Sequence, residues 1–253
     1  MSRAEKYGKG NGIMISIVLP VYNRVKYICQ SIDSVISQSW QDWELIIVDD
    51  ASTDRTGEIA EEYSRRDKRI RVIHNTENQK LPRSLNIGFE NASGDYYTWT
   101  SDDNAYRKDA LELMYHALEE DRSKDIVYCN YIVIDSEDYM LYDKETGPAE
   151  RLPFENTIGA CFLYRKEVHE GLAGYDSGKF LAEDYDFWLR AYWKYRFLHL
   201  EEAPYYYRLH ASSLTAERKI EIRDAARAVC REHIDKIEDA ALREKVRLSL
   251  EEQ

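Results

Sequence analysis

No apolar run in this chain approaches the ~18 residues a membrane-crossing helix requires, so no spanning segment is expected. Met1 to Gly12 lacks an apolar signal-peptide core and reads as a polar, disordered lead-in. Positive charge is also short: 35 Lys and Arg stand against 47 Asp and Glu, a formal net charge of -12. With no long basic run to offset that balance, general nucleic-acid binding is excluded. An acidic chain that handles phosphates would need a metal ion or a local cluster of cations. Only four cysteines occur, Cys29, Cys129, Cys161 and Cys230, and none form a CxxC pair. They read as reduced thiols with no shared role, three among apolar neighbours and Cys230 in a charged tail, which fits a reducing, cytoplasmic setting. Tyrosine, by contrast, is plentiful. Most of the 20 suit half-buried strands, and a few could stack on ligand rings.

The 253 residues allow one large α/β domain or two small ones. Met14 to Val21 is a continuous apolar run, the pattern of a strand covered on both faces. Lys26 to Trp40 then puts Ile28, Ile32, Val35 and Ile36 on one helical face. Trp43 to Val48 is a second buried strand, and Ser52, Thr53 and Asp54 offer cap chemistry for a polar helix to Asp67. A short strand (Ile70 to His74), a loop to Lys80, a helix (Leu81 to Glu90) and a strand (Tyr96 to Thr100) follow. Such alternation predicts a parallel, doubly wound sheet. Further on, the pattern predicts a helix over Lys108 to Glu120, one strand from Ile126 to Ile134, and an irregular charged stretch from Asp135 to Arg151. Then come a strand near Gly159 to Tyr164, a glycine-containing loop from Gly171 to Leu181, a helix opening at Glu183-Asp184, and short strands at Phe197 to Leu200 and Tyr205 to Leu209. Beyond Ser213, Ile220, Ala225, Val229 and Ile234 recur at helical spacing, so the tail should pack on the domain or on a partner.

Acids collect at strand ends: Asp49-Asp50 after the second strand and Asp102-Asp103 after the fourth. In an open α/β sheet ligands bind beyond those ends, and paired carboxylates there suit a hard divalent cation and, through it, a phosphate ester. A solvated turn is the plainer reading of either pair.

Five motifs in order make the chain resemble the family-2 glycosyltransferases of the GT-A fold, over roughly Met14 to Ser213. They are Pro20-x-Tyr22-Asn23, the run VDDASTD from Val48 to Asp54, Ser101-Asp102-Asp103, Glu183-Asp184 before an aromatic helix, and Tyr207-Arg208-Leu209-His210 before Ser212. The resemblance implies a mixed, mostly parallel sheet with helices on both faces (residues 14–104 binding nucleotide, 105–213 holding acceptor and catalytic groups) and a helical extension over 214–253. It also implies a nucleotide-sugar donor, most simply a uridine diphosphate sugar, and a glycan or glycolipid acceptor in cell-surface polysaccharide or glycolipid assembly.

Residue by residue, the resemblance assigns Pro20, Tyr22, Asn23, Asp50, Lys80, Arg83, Ser101 and Asp102 to the donor nucleotide. Tyr22 would stack on the base, or serve as a half-buried structural ring; Asp50 would accept from uracil. Lys80 and Arg83 would supply the local cation, or merely charge a helix start. Asp103 and His210 would hold Mn²⁺, with Mg²⁺ a rival. Asp184 would be the base that takes the acceptor's proton in a single inverting displacement. Glu183 would stand beside it, Arg208 would lie near the site with no assigned role, Asp186 would be a supporting or structural acid, and Asp49 and Asp54 would be structural; the plainer reading is that Glu183 and Asp184 merely charge a helix start. The loop holding Gly171, Gly174 and Gly178 could close over the donor.

One departure stands out: Thr100 occupies the position where many members carry a third acid. The Q-x-x-R-W run of processive synthases is absent after Asp184, so one sugar per encounter is expected. Two other classes remain open. A nucleotidyltransferase would want a glycine-rich loop after the first strand, where this chain has Pro20 to Arg24. An inactive binding module would show no turnover. Peripheral membrane contact through the charged tail is compatible with the sequence, and oligomeric state is not legible in it.

Overall fold

The structure, a computed structural model, describes residues 12–252; the lead-in before Gly12 lies outside them. Strand β1 (Ile15–Val21) is almost wholly buried, because sheet neighbours cover both edges and helices both faces. β2 (Trp43–Asp49) pairs parallel with it from Ile15↔Trp43 to Val21↔Asp49, and β4 (Tyr96–Trp99) pairs parallel on the other side. β3 (Ile70–His74) extends the sheet beyond β2. Alternate residues of β1 and β2 feed two cores. Ile17, Leu19, Leu45 and Ile47 meet Ile28, Ile32 and Val35 of helix α1 (Ile28–Ile36). Val18, Ile46 and Val48 meet Leu85 and Phe89 of α3 (Leu81–Glu90). That second contact is so close that a Cβ on Gly88 would lie 2.3 Å from Val18 Cγ1, which is why glycine stands mid-helix there. Helix α2 (Thr56–Arg66) makes the crossover from β2 to β3.

The remaining strands make the sheet mixed rather than purely parallel. β9 (Phe162–Arg165) runs antiparallel between β4 and β6 (Ile126–Cys129), and β10 (Phe197–Leu200) closes the edge, giving the order β10-β6-β9-β4-β1-β2-β3. α4 (Ala110–Glu120) covers one face of this half, with Leu111, Met114 and Leu118 inward.

Several expectations need correction. Ile126 to Ile134 is not one strand: it breaks at Asn130 into β6 and β7 (Tyr131–Ile134), which lie in different sheets. The Asn130 amide holds the break. Its Oδ1 accepts from the Thr146 N–H at 2.9 Å, and its Nδ2 donates to the Glu201 carbonyl at 2.9 Å. Both halves are paired strands with apolar residues, so hydropathy carries no sign of the change. The stretch expected to be irregular instead forms β8 (Met140–Lys144), hairpinned on β7, and a 3₁₀ turn at Ala149–Arg151. With β5 (Ala105–Tyr106) and β11 (Tyr205–Arg208), these strands make a second sheet in the order β5-β11-β7-β8. A short helix, α5 (Lys166–Leu172), precedes the glycine-containing loop; only Val168 of it is buried, too little periodicity to read.

Helix α6 (Glu183–Tyr192) is followed, after β11, by α7 (Leu214–Glu217), α8 (Lys219–His233) and α9 (Ala240–Glu252). The tail packs on the domain: Val229, Cys230 and Ile234 share a core with Tyr185 and Trp188 of α6. Cys230 is therefore buried despite its charged sequence neighbours, and the Tyr185 hydroxyl lies 2.8 Å from its sulfur, while Cys29 is the exposed thiol. No helix among the described residues is long and apolar enough to cross a membrane.

Candidate active site

The parallel strands β1, β2 and β4 end together, and the chain turns there with polar residues. Past β1, Tyr22 is 44% exposed and Asn23 adopts φ 55°. The Asn23 side chain is committed to the fold: its Oδ1 accepts from the Thr53 N–H at 2.8 Å, and its own N–H donates to Ser52 Oγ at 3.1 Å. Arg24 bridges to the C-terminal half through the Ser212 carbonyl at 3.0 Å.

Asp49 and Asp50 are both buried and both occupied. Asp49 accepts from the Ser52 N–H at 3.1 Å and meets His74 Nδ1 at 2.9 Å. Asp50 accepts from Asn75 Nδ2 at 2.8 Å, the Gln79 N–H at 2.7 Å and the Lys80 N–H at 3.0 Å. It thereby fixes the loop ahead of α3, where Lys80 takes a positive φ of 69°. Asp54 accepts from the Thr56 N–H at 2.9 Å, satisfying a donor of the first turn of α2. Lys80 Nζ lies 5.9 Å from the Phe180 ring, and Arg83 is exposed on α3.

The second pair is placed differently. Asp102 is buried, and burial together with the Asp103 charge pushes its carboxyl well above the usual range. The Arg24 guanidinium opposes that shift from 3.9 Å. Asp103 Oδ2 lies 2.9 Å from His210 Nε2, and His210 Nδ1 lies 2.9 Å from Ser212 Oγ. Ser101 anchors the turn by accepting, through its carbonyl, from Ser31 Oγ at 2.9 Å. Thr100, where a third acid could stand, is buried against the Tyr205 hydroxyl at 2.7 Å, and no ion has access to it.

Arg208 explains how β11 brings His210 to Asp103. Only 1% exposed, it donates to the Asp103 carbonyl at 2.9 Å, the Asp135 carbonyl at 2.9 Å, Gln30 Oε1 at 2.5 Å and Asp138 Oδ1 at 2.7 Å. Its guanidinium also lies 4.7 Å from the Tyr27 ring. A buried guanidinium with so many acceptors is a structural clamp.

At the start of α6, Glu183 is buried and accepts from the Leu181 N–H at 2.8 Å. Burial, then the neighbouring Asp184 charge, pushes its carboxyl up to about 8. Asp184 accepts from the Tyr185 N–H at 2.7 Å and from Asn156 Nδ2 at 2.9 Å. Burial outweighs those donors, and its carboxyl too is raised, toward the range in which a general base operates near neutrality. Asp186 faces away, bonded to Arg190 at 2.7 Å and near His233 of α8 at 3.4 Å. Burial raises the Tyr207 hydroxyl; its contact with Thr215 works against that rise, and the charges of Asp103 and Asp184 add to it.

The structure thus gathers Ser101, Asp102, Asp103, Arg208 and His210 around one turn, and holds Asp184 at the start of α6 through Asn156. Among the described residues no ion pair joins Lys80 or Arg83 to Asp102 or Asp103; the cation beside them is Arg24, which the sequence motif contained without marking. Asn156, which orients Asp184, carried no sequence signal at all, because its partner lies 28 positions away.

The profile of Glycosyl transferase family 2 matches residues 16–173. This chain belongs to that family. EpsE of Bacillus subtilis is 32% identical over 204 residues, covering 77% of this chain and 73% of EpsE. Other curated relatives are longer, and the chain spans about half of their length, 44% to 58%. Among solved structures, S. aureus TarS 1-349 in complex with UDP-GlcNAc superposes with a TM-score of 0.73 at 20% identity, covering 92% of this chain and 70% of TarS. The mannosyltransferase PcManGT of Pyrobaculum calidifontis, in complex with GDP-Man and Mn²⁺, gives 0.65 at 17% identity, covering 89% and 64%. These likenesses establish the GT-A arrangement of the family-2 chain.

Proposed function

We propose that this family-2 chain transfers one sugar from a uridine diphosphate donor to an acceptor hydroxyl, inverting the anomeric carbon. The observation that carries the reading is the acidic turn that joins the two halves of the chain: Asp103, past the end of β4, lies 2.9 Å from His210, past the end of β11, while Asp184, raised by burial, opens α6. Asp184, raised in basicity and oriented by Asn156, takes the proton of the acceptor hydroxyl as its oxygen bonds to the anomeric carbon. The bond from that carbon to the diphosphate oxygen breaks, and the diphosphate leaves with the electron pair. Tyr22, with its exposed ring, offers a face to the base. Asp50 retains lone pairs beyond its three bonds and so can accept from uracil. Pro20 and Asn23 shape the turn against which the nucleoside lies, and Ser101 and Asp102 border the ribose. Lys80 and Arg83 stand where they can reach ribose or phosphate.

The residues fit a divalent cation. Asp103 Oδ2 and His210 Nε2 are 2.9 Å apart, the spacing of adjacent ligands about an octahedral ion with bonds of about 2.1 Å. With one nitrogen ligand Mn²⁺ is favoured and Mg²⁺ can substitute. Such a cation would neutralise charge on the leaving diphosphate. Two protein ligands leave most of the shell to donor oxygens and water, so metal and donor should bind together. A cytoplasmic setting and a role in surface polysaccharide or glycolipid assembly follow the resemblance to the family.

Calorimetric titration with UDP and GDP, each with Mn²⁺ and with EDTA, tests the donor half. UDP-selective, metal-dependent binding is expected; a folded protein that binds neither diphosphate would overturn it. For the catalytic half, Asp184→Asn should cut turnover by about 10²–10⁴ while UDP affinity holds.

A further inference from the structure

The small sheet carries a face made largely of tyrosine, and its strand β11 is the one that delivers Arg208 and His210 to Asp103. Residues paired in register project to the same side, and register sets Tyr205 beside Tyr106, Tyr207 beside Val133, and Val133 beside Tyr142. Tyr131, two residues before Val133, shares that side. Ring centroids lie 5.0 Å apart for Tyr106 and Tyr205, and 5.6 Å apart for Tyr131 and Tyr207. The opposite side carries Arg208, bound to Gln30 of α1.

The row passes from buried to open. Tyr106 and Tyr205 are spent on the strand that leads to Asp102: their hydroxyls lie 3.1 Å from Thr98 Oγ1 and 2.7 Å from Thr100 Oγ1. Tyr207 is half-buried, with Thr215 Oγ1 at 3.4 Å. At the outer end, Tyr142 is 50% exposed on the edge strand β8. A ring in that position leaves about half of its surface to solvent, two strands from the β11 end that meets Asp103.

We propose that Tyr142, with Tyr131 and Tyr207, forms the acceptor subsite and takes a neutral pyranose ring. This deepens the transferase reading and rests on it. A pyranose has an apolar C–H face that lies flat on an aromatic ring and a rim of hydroxyls that tyrosine hydroxyls can meet. A lipid chain in the same place would strand those hydroxyls without partners. Asp103 and Asp184 disfavour an anionic sugar, and Lys144, beside Tyr131 in register, sits at the exposed outer rim. Tyr142 is therefore a specificity-determining residue that touches the acceptor and not the donor.

The test is binding to the full chain with UDP and Mn²⁺ by saturation-transfer NMR. The probes are methyl β-glycosides of glucose, galactose and their N-acetyl forms, beside methyl glucuronide and farnesyl phosphate. At least one neutral glycoside should bind, about tenfold more weakly to Tyr142→Ala and within about twofold to Tyr142→Phe. UDP affinity, unchanged in both variants, shows that each is folded. Equal glycoside binding by Tyr142→Ala, binding of glucuronide or farnesyl phosphate alone, or no probe binding in a protein that holds UDP would each overturn the subsite and leave the donor reading intact. Failure of the wild-type chain to bind UDP would instead overturn the donor reading, and this subsite with it.

Discussion

Two Asp-Asp pairs end neighbouring strands of one sheet, and their surroundings make them different objects. Asp49-Asp50, after β2, is well supplied: Ser52, His74, Asn75, Gln79 and Lys80 all direct hydrogen-bonding groups at it. Asp102-Asp103, after β4, has a guanidinium at 3.9 Å, one imidazole at 2.9 Å and the backbone of Tyr22 and of Asp102 itself as partners, and still burial plus the neighbouring charge raise Asp102. A dipeptide in itself is neither a ligand site nor a loop anchor. The supply of donors around it decides, and an under-supplied pair in a buried turn is where a cation or a substrate is wanted.

The comparison breaks most visibly if the pairs are swapped in importance. Asp103→Ala should lower turnover by about 10²–10³, the scale of losing one group that stabilises the leaving charge. Its thermal unfolding should move by only a degree or two, because Asp103 holds no backbone donor in place with its side chain. Donor turnover and melting temperature measured on one preparation check both halves. A large loss of stability with turnover preserved would show that the second pair is the anchor.

Asp50→Ala tests the other side. It strands the Gln79 N–H and leaves the Asn75 amide and the Lys80 N–H only their longer bonds to Ser84 and Asn78, and should cost about 2–3 kcal/mol. For a chain of this size that is a fall in melting temperature of roughly 5–10 °C. Asp50→Asn, which keeps an acceptor oxygen, should recover about half. A melting temperature unmoved by Asp50→Ala would mean that the loop ahead of α3 does not depend on this carboxylate.

Much of this could be read in sequence, for local reasons. Strands covered on both faces must be apolar throughout, so β1 and β2 announce themselves, and acids that follow such runs fall at the ligand edge by topology alone. What could not be read depends on partners far apart in the chain. Arg208 looks like a surface residue ending a short strand, yet its acceptors come from residues 30, 103, 135 and 138, and only the assembled fold buries it. Asn130 splits an apparently continuous strand because Thr146 and Glu201 arrive from elsewhere. Asn156 reaches Asp184 in the same way. The rise at Asp184 likewise turns on how α6 is packed, which residue types alone do not show.

A third acid pair, Glu183-Asp184, sharpens the comparison through pH. Glu183 is raised to about 8 from an ordinary value near 4.5 because it is buried beside another acid. Between those values the folded state binds more proton than the unfolded state, so stability contributed by protonated Glu183 is full below about 4.5 and declines until about 8. Glu183→Gln keeps the shape and removes the titration. Its melting temperature relative to the unmodified chain should therefore climb from pH 5 to pH 8 and stay level above that. A difference that stays constant across that window would mean the Glu183 carboxyl titrates normally, leaving Asp184 without the neighbouring burial that raises its basicity.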